Sequence, residues 1–329
     1  MPARFGNLRG MTALTPLEDV LSIAGVRGSL AAPIDAGARW GVQVEAVPEA
    51  AFHAVTEGVA YLTVPGQPTV RMMPGDVALL PRGSAHAFAS DPDEPLQPFD
   101  RMAYARMREP GEVLQLGPSP SPSPSPSPTR VLCAFYASNA TTSAPLFELL
   151  PEVIYIPAEP EPASIAHTIA MLDAEATRPG LSSSTIVDRL IDVLLIQVLR
   201  RWLQANDFTE SSWLRGMADP VIGAVLGAMH AEPGRDWNLD GLAAVARVSR
   251  ATLARRFSAL VGTSPAAYLA GWRMDLAAQR LRETDARVGE VAKAVGYESE
   301  FAFSRAFSRA HGVPPQRYRA SSRAASVPS

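Results

Sequence analysis

Residues 242–268 read LAAVARVSRATLARRFSALVGTSPAAY, and residues 291–319 read VAKAVGYESEFAFSRAFSRAHGVPPQRYR. At an offset of 50 residues the two stretches repeat one another. Leu253, Arg255, Phe257, Ser258, Gly262, Pro265 and Tyr268 recur as Phe303, Arg305, Phe307, Ser308, Gly312, Pro315 and Tyr318. Matched chemistry at seven positions marks an internal duplication rather than a compositional accident. Each copy reads as two short helices around a tight turn. In the first, Asn238 caps a helix bearing Leu239, Leu242, Ala243 and Ala246 at helical spacing, the chain turns at Arg247-Val248, and Ser249 caps a second helix that sends Leu253, Phe257 and Leu260 inward. In the second, Val288, Val291, Ala292 and Val295 lead into Gly296, which suits a turn with positive φ, and Ser299 caps a helix that buries Phe303 and Phe307. Ser264-Pro265 then starts a connecting helix that reaches about residue 283. At 1.5 Å per residue that rod is about 30 Å long, close to the roughly 34 Å between successive major grooves on one face of B-DNA.

Charge agrees with a nucleic-acid partner. The chain of 329 residues carries a formal charge of −3, but residues 219–329 hold 15 Lys and Arg against 10 Asp and Glu, so the surplus of acid lies in the first two thirds. A basic module joined to an acidic one is hidden inside a nearly neutral total. Arg supplies all the basic residues but Lys293. The side chains left on or near the outer faces of the two second helices are the expected DNA contacts: Arg250, Ala251, Thr252, Ala254, Arg255 and Arg256 in the first copy, and Ser299, Glu300, Ala302, Arg305 and Arg309 in the second. Arg255 and Arg305 occupy the same point of the two helices, where a guanidinium can meet a guanine edge bidentately.

The two stretches closely resemble the DNA-binding domain of AraC-type transcription regulators, over about residues 219–319, with the Gly-Tyr turn and the Pro-Gln-Arg-Tyr-Arg exit of the second copy the more diagnostic. Arg247 departs from the small residue common at the first turn of that family. The resemblance implies a sequence-specific binder of double-stranded DNA that works with RNA polymerase.

Upstream, 47% hydrophobic residues and this length leave room for one further domain of ordinary size. There is no run of 18 apolar residues and no export signal at the start of the sequence, and a single cysteine, Cys133, excludes an intrachain disulfide. A cytoplasmic protein without membrane contact is expected. Alternating runs at residues 41–47, 58–64, 69–73 and 77–80, separated by Pro and Gly, predict antiparallel strands closing into a sandwich or barrel. GDVALLPRGSAH, residues 75–86, fits the second cupin motif, and FHAVTEGVAYL from Phe52 resembles a decayed first motif. The upstream part therefore resembles the cupin-type sensory domain of one branch of AraC-type regulators, over about residues 14–204.

A metal cupin needs three histidines and a carboxylate on one ion. Here His53 and His86 remain, Val55 stands at the second histidine position of motif one, and the expected acid falls on Val59 or Ala60. Glu57 and Asp76 adjoin turn glycines and are read as solvated. The expectation is an effector pocket lined by His53 and His86, with no metal, no other cofactor and no catalytic residue; the rival reading is a metal-dependent cupin isomerase or dioxygenase with an accessory DNA-binding tail. A constitutive architectural binder is a third reading and would need a filled barrel. Cys133, in the run VLCAFY, is read as a buried small hydrophobe, with a redox thiol as its alternative.

Residues 118–128 alternate Pro and Ser without interruption and are expected to form a polyproline-like or disordered surface loop. Helices are expected at 164–177 and 184–204, the second apolar over most of its circumference. Related regulators dimerise through helices in this position, so the resemblance implies a homodimer. Residues 206–217 read as a linker and 321–329 as a disordered tail. Thr15-Pro-Leu-Glu18 forms a capping box where order is expected to begin, with residues 1–14 outside the fold and Met11 an alternative start. The fold class read from all this is α+β in two domains: a cupin-like barrel with a helical dimerisation segment at residues 15–205, and an all-α double helix-turn-helix domain at 218–320.

Overall fold

A computed structural model describes residues 19–21, 26–99, 113–117, 129–137, 146–158, 164–178, 180–205 and 213–324. The chain divides into two compact units, one of residues 26–138 and 147–205, the other of residues 206–329 with the segments 1–25 and 139–146.

The first unit is a two-sheet β structure. Its strands are β1 (Arg27–Ala36), β2 (Gly41–Val44), β3 (Ala50–Glu57), β4 (Ala60–Thr63), β5 (Val70–Met72), β6 (Val77–Leu80), β7 (His86–Ala89), β8 (Gln97–Pro98), β9 (Leu114–Leu116), β10 (Thr129–Ala137) and β11 (Ile154–Ile156). One sheet runs β11-β6-β3-β10-β1-β9, the other β5-β4-β7-β2-β8. The four expected strands appear as β2, β4, β5 and β6, the first three shorter than expected and β6 with the expected bounds. β1 was invisible in the sequence because Pro33 interrupts it. The strand tolerates a residue with no N–H there because its register with β10 slips between Leu30 and Ala32, and its other neighbour β9 pairs only with residues 34–36. Inward side chains of both sheets, among them Ile34, Trp40, Val42, Leu62, Met72, Leu80, Phe88 and Val131, form one core.

Asp76 differs from expectation. It is buried rather than solvated, and its carboxylate accepts from Met73 N (2.8 Å), Tyr155 Oη (2.7 Å) and Ala158 N (2.7 Å), tying the β5–β6 turn to the end of β11. Glu57 is exposed and pairs with Arg130 at 3.2 Å.

Two helices follow, α1 (Ser164–Thr177) and α2 (Ser183–Ala205). α2 lays Val187, Ile191, Leu194, Leu195, Val198 and Leu199 inward. Its docking is close: a Cβ on Gly28 of β1 would stand 2.2 Å from Ile191 Cγ2, so only glycine permits the approach. Gly28 N donates to Asp192 Oδ1 (3.1 Å) and Tyr136 Oη to Ile191 O (2.9 Å), fixing the helix to the sheet. The opposite side leaves Ile186 and Val193 exposed, with Leu190 half-buried between them.

The second unit is helical: α3 (Trp213–Ala218), α4 (Pro220–Ala231), α5 (Leu239–Ala246), α6 (Arg250–Val261), α7 (Pro265–Glu283), α8 (Val288–Ala294), α9 (Glu300–His311) and α10 (Pro315–Ala324). α3 occupies residues read as linker. It is too short for its amphipathic pattern to show, yet Trp213, Leu214 and Met217 are buried. α10 likewise continues past residue 320, where the expected tail began. A helical turn at residues 19–21 belongs to this unit rather than to the β unit, and Asp19 meets the buried His230 at 3.2 Å. The capping box at Thr15, the Pro-Ser run, residues 206–212 and residues 325–329 lie outside the described residues.

Candidate nucleic-acid interface and barrel interior

The two helix pairs α5–α6 and α8–α9 are each set by local signals. Asn238 Oδ1 accepts from Gly241 N (2.8 Å) to start α5, and Ser249 Oγ accepts from Thr252 N (3.2 Å) to start α6. Between them Arg247 takes the left-handed conformation, φ 55°, in a place where the second copy uses Gly296, φ 82°. Ser299 Oγ accepts from Ala302 N (3.4 Å) at the head of α9. Leu253 and Phe257 of α6, and Phe303 and Phe307 of α9, are fully buried. The third buried residue of α6 is Val261, with Leu260 only half-buried.

The repeated tyrosines have a packing reason. Tyr268 stands edge-on to Phe257 at 5.9 Å and Tyr318 edge-on to Phe307 at 5.3 Å, while their hydroxyls meet His230 (2.8 Å) and Arg282 (2.8 Å). Each exit helix is thus clamped to its own reading helix.

Of the expected contact residues, Arg250, Ala251, Arg255 and Arg256 are exposed on α6, and Thr252 and Ala254 are partly so; Ser299, Glu300, Ala302, Arg305 and Arg309 are exposed at α9. Their commitments differ. Arg250 pairs with Asp240 across two exposed side chains (3.1 Å). Arg256 is held by Asp219, which also caps α4 by accepting from Val221 N and Ile222 N (3.0 Å each). Burial works against the Asp219 charge, yet Arg256 and those amides keep its carboxyl below the usual range. Arg256 therefore latches α6 to the start of α4, a role its sequence position did not suggest. Arg255, Arg305 and Arg309 make no ion pair with the described residues. One residue escaped the sequence reading: Phe301, in the first turn of α9, is 72% exposed with the Arg305 guanidinium 5.8 Å from its ring centre.

Inside the β unit, His53 on β3 and His86 on β7 come from facing sheets and meet Nε2 to Nε2 at 2.9 Å. Cys133 on β10 is directly opposite His53 in the strand register, and its Sγ lies 3.1 Å from His53 Nδ1. Proton positions follow from one fixed acceptor. The Ser84 carbonyl, 2.8 Å from His86 Nδ1, can only accept, so that nitrogen carries the proton and His86 Nε2 is an acceptor. His53 then donates through Nε2 and accepts the Cys133 thiol proton at Nδ1. Both rings are neutral. Burial pushes both imidazoles below their usual value, with His86 adding to the effect on His53, and burial drives the Cys133 thiol up to about 12.

This relay does not fit a metal. Its imidazole lone pairs are spent on each other and on the thiol, Val55 and Ala60 at two expected ligand positions are fully buried, and Asp76 is committed elsewhere. No group of three or more His, Cys, Asp or Glu among the described residues could hold an ion. Beside the relay is a cavity of about 40 Å³ lined by Ile34, Trp40, Val42, Phe88 and Phe135 together with His53 and Cys133. Trp40 Nε1 is buried without a hydrogen-bond partner among the described residues. No helix among the described residues is long and apolar enough to cross a membrane.

A duplicated helix-turn-helix with outward arginines, preceded by a two-sheet barrel with inward histidines, defines a DNA-binding regulator with a cupin domain. Comparisons with known proteins agree. Residues 15–204 match the cupin family and residues 242–321 a helix-turn-helix domain family. An AraC-like transcription regulator of Streptomyces lividans is 35% identical over 308 residues, covering 93% of this chain and 98% of that protein. The HTH-type transcriptional regulator MtrA of Neisseria gonorrhoeae is 33% identical over 310 residues, covering 92% and 97%. Among solved structures, the DNA-binding domain of AdpA in complex with a target DNA is 35% identical, covering 33% of this chain and 96% of that one, with a TM-score of 0.31. The chain belongs to the AraC-type transcription regulators, DNA-binding proteins that here carry an N-terminal cupin domain.

Proposed function

We propose that this regulator is controlled by a small molecule bound in the cupin barrel, that it acts as a homodimer in the cytoplasm, and that it has no catalytic activity. The observation that carries the reading is the neutral His53–His86–Cys133 relay, whose His53 and Cys133 line an otherwise apolar cavity of about 40 Å³. Such a cavity holds only one or two waters. Any larger effector must part the surrounding side chains, so it binds the opened arrangement better than the closed one, and that difference is what a ligand needs to shift an equilibrium. The absence of a metal-competent ligand set among the described residues argues against the cupin-enzyme alternative. Subunit pairing is assigned to the outer stripe of α2, where Ile186, Leu190 and Val193 recur at helical spacing beside the face that grips the barrel.

At the DNA, Arg255 and Arg305 are assigned the base-reading role, each bidentate to a guanine, with Ala251, Thr252, Ala254, Ser299, Glu300, Ala302 and Arg309 at the groove and Arg250 directed to the backbone. RNA polymerase is the partner through which bound protein alters transcription. The test is a thermal-shift screen of neutral, largely apolar small molecules on the wild type and His86→Phe, followed by a reporter assay. A compound that shifts the wild type and drives the reporter should do neither in the variant, while basal operator binding persists. An undiminished response in His86→Phe would place the sensor away from the His53–His86 contact, and Cys133→Ser would then separate a thiol-based signal from one sensed outside the barrel.

A further inference from the structure

The duplication makes the second reading helix its own control. Position for position at the 50-residue offset, α6 and α9 share the framework that buries Leu253 and Phe257 in one and Phe303 and Phe307 in the other. Where α9 has Phe301, α6 has Ala251. The framework therefore does not require an aromatic ring at this point, and packing does not hold it, since 72% of the residue is exposed. A lone apolar residue on a surface needs no explanation by itself. This one lies in the capped first turn of α9, one turn from Arg305, whose guanidinium is 5.8 Å from its ring.

In the major groove the apolar feature of the base edges is the thymine C5-methyl, and phenylalanine is among the side chains that suit it. Four residues of helix rise about 6 Å, or roughly two base steps of 3.4 Å. We propose that Phe301 is a specificity-determining residue that packs on a thymine methyl within two base pairs of the guanine read by Arg305. The neighbouring cation and ring steady one another. This rests on the reading that α9 lies in the major groove.

The test uses the full-length protein and an operator obtained by selection from random duplexes. Each thymine in the element assigned to the second head is replaced singly by deoxyuridine, which removes only the methyl. Wild-type protein should lose about fourfold in affinity at one thymine, the worth of one buried methyl-sized group. Phe301→Ala should bind the thymine operator several-fold more weakly and be indifferent to that replacement, Phe301→Leu should keep part of the response, and the melting temperature should stay at the wild-type value in both. A Phe301→Ala protein that still distinguishes thymine from deoxyuridine at every position as the wild type does would overturn the proposal, as would a wild type indifferent to all the replacements. If Arg305→Ala also binds as the wild type does, the second head does not dock and the underlying reading falls with it.

Discussion

The two reading heads share a skeleton and differ in what they present. The first turns through a strained arginine, Arg247, and spends two of its four outward arginines in and around α6 on Asp240 and Asp219. The second turns through Gly296, leaves Arg305 and Arg309 without ion pairs among the described residues, and adds the exposed Phe301. The Phe257–Tyr268 and Phe307–Tyr318 clamp recurs because it closes a core in each copy, while the outer faces, which close none, differ. The same logic separates framework positions from reading positions throughout the domain.

The largest expected effect tests whether the skeletons are equivalent. Phe257→Ala and its counterpart Phe307→Ala each remove a fully buried ring and should cost about 3–5 kcal/mol of stability. Denaturant unfolding of the two variants checks this, and a loss confined to one head would break the parallel.

Next come the outer faces. Arg305→Ala and Arg255→Ala should each cost about 1–3 kcal/mol at the selected operator and relax specificity at one element. Arg256→Ala should instead weaken the helical domain by no more than about 1 kcal/mol, the range of a partly exposed ion pair, with specificity retained. Salt-controlled titrations on operator and random DNA separate the two classes of arginine. Equal weakening on both DNAs in Arg305→Ala would make that residue a phosphate contact.

The barrel supplies a contrast in pH response. Both relay histidines titrate below the usual 6.5 because the folded state buries them neutral. Below pH 6.5 the unfolded chain binds protons that the folded chain refuses, so stability should be level above that pH and fall as acid is added, by up to about 1.4 kcal/mol per pH unit for each histidine. Unfolding followed from pH 8 to pH 5 checks the direction, and His53→Gln with His86→Gln should flatten the slope.

The smallest effect concerns the turns. Arg247 pays for a left-handed backbone that glycine adopts freely, so Arg247→Gly should raise stability by about 0.5–1 kcal/mol, whereas Gly296→Ala should lower it. Thermal melts of both variants would sharpen the comparison of the two turns.

What was legible in the sequence follows from the range of the interactions. The caps Asn238, Ser249 and Ser299, the turn at Gly296 and the inward stripes of α6 and α9 depend on residues a few positions apart, and local pattern found them. The cupin spacing likewise placed His53 and His86 inside the barrel. Their contact with each other, and that of His53 with Cys133 80 residues away, depends on strand register and on two sheets facing, which no local signal encodes. The Arg256–Asp219 latch and the burial of Asp76 escape local pattern for the same reason, since they depend on partners distant in sequence. Phe301 was missed differently: an aromatic in an aromatic-rich helix looks like core until its exposure is seen.

The proposed function requires that one chain carry two working heads spaced to read one face of the duplex. Footprinting of the full-length protein on its selected operator, with Arg255→Ala and Arg305→Ala alongside, tests it most directly. Two protected elements about 10 base pairs apart, centre to centre, are expected for each bound chain, one lost in each variant. A single protected element that survives Arg305→Ala unchanged would contradict it, and would mean that the second copy is kept for its fold and not for reading DNA.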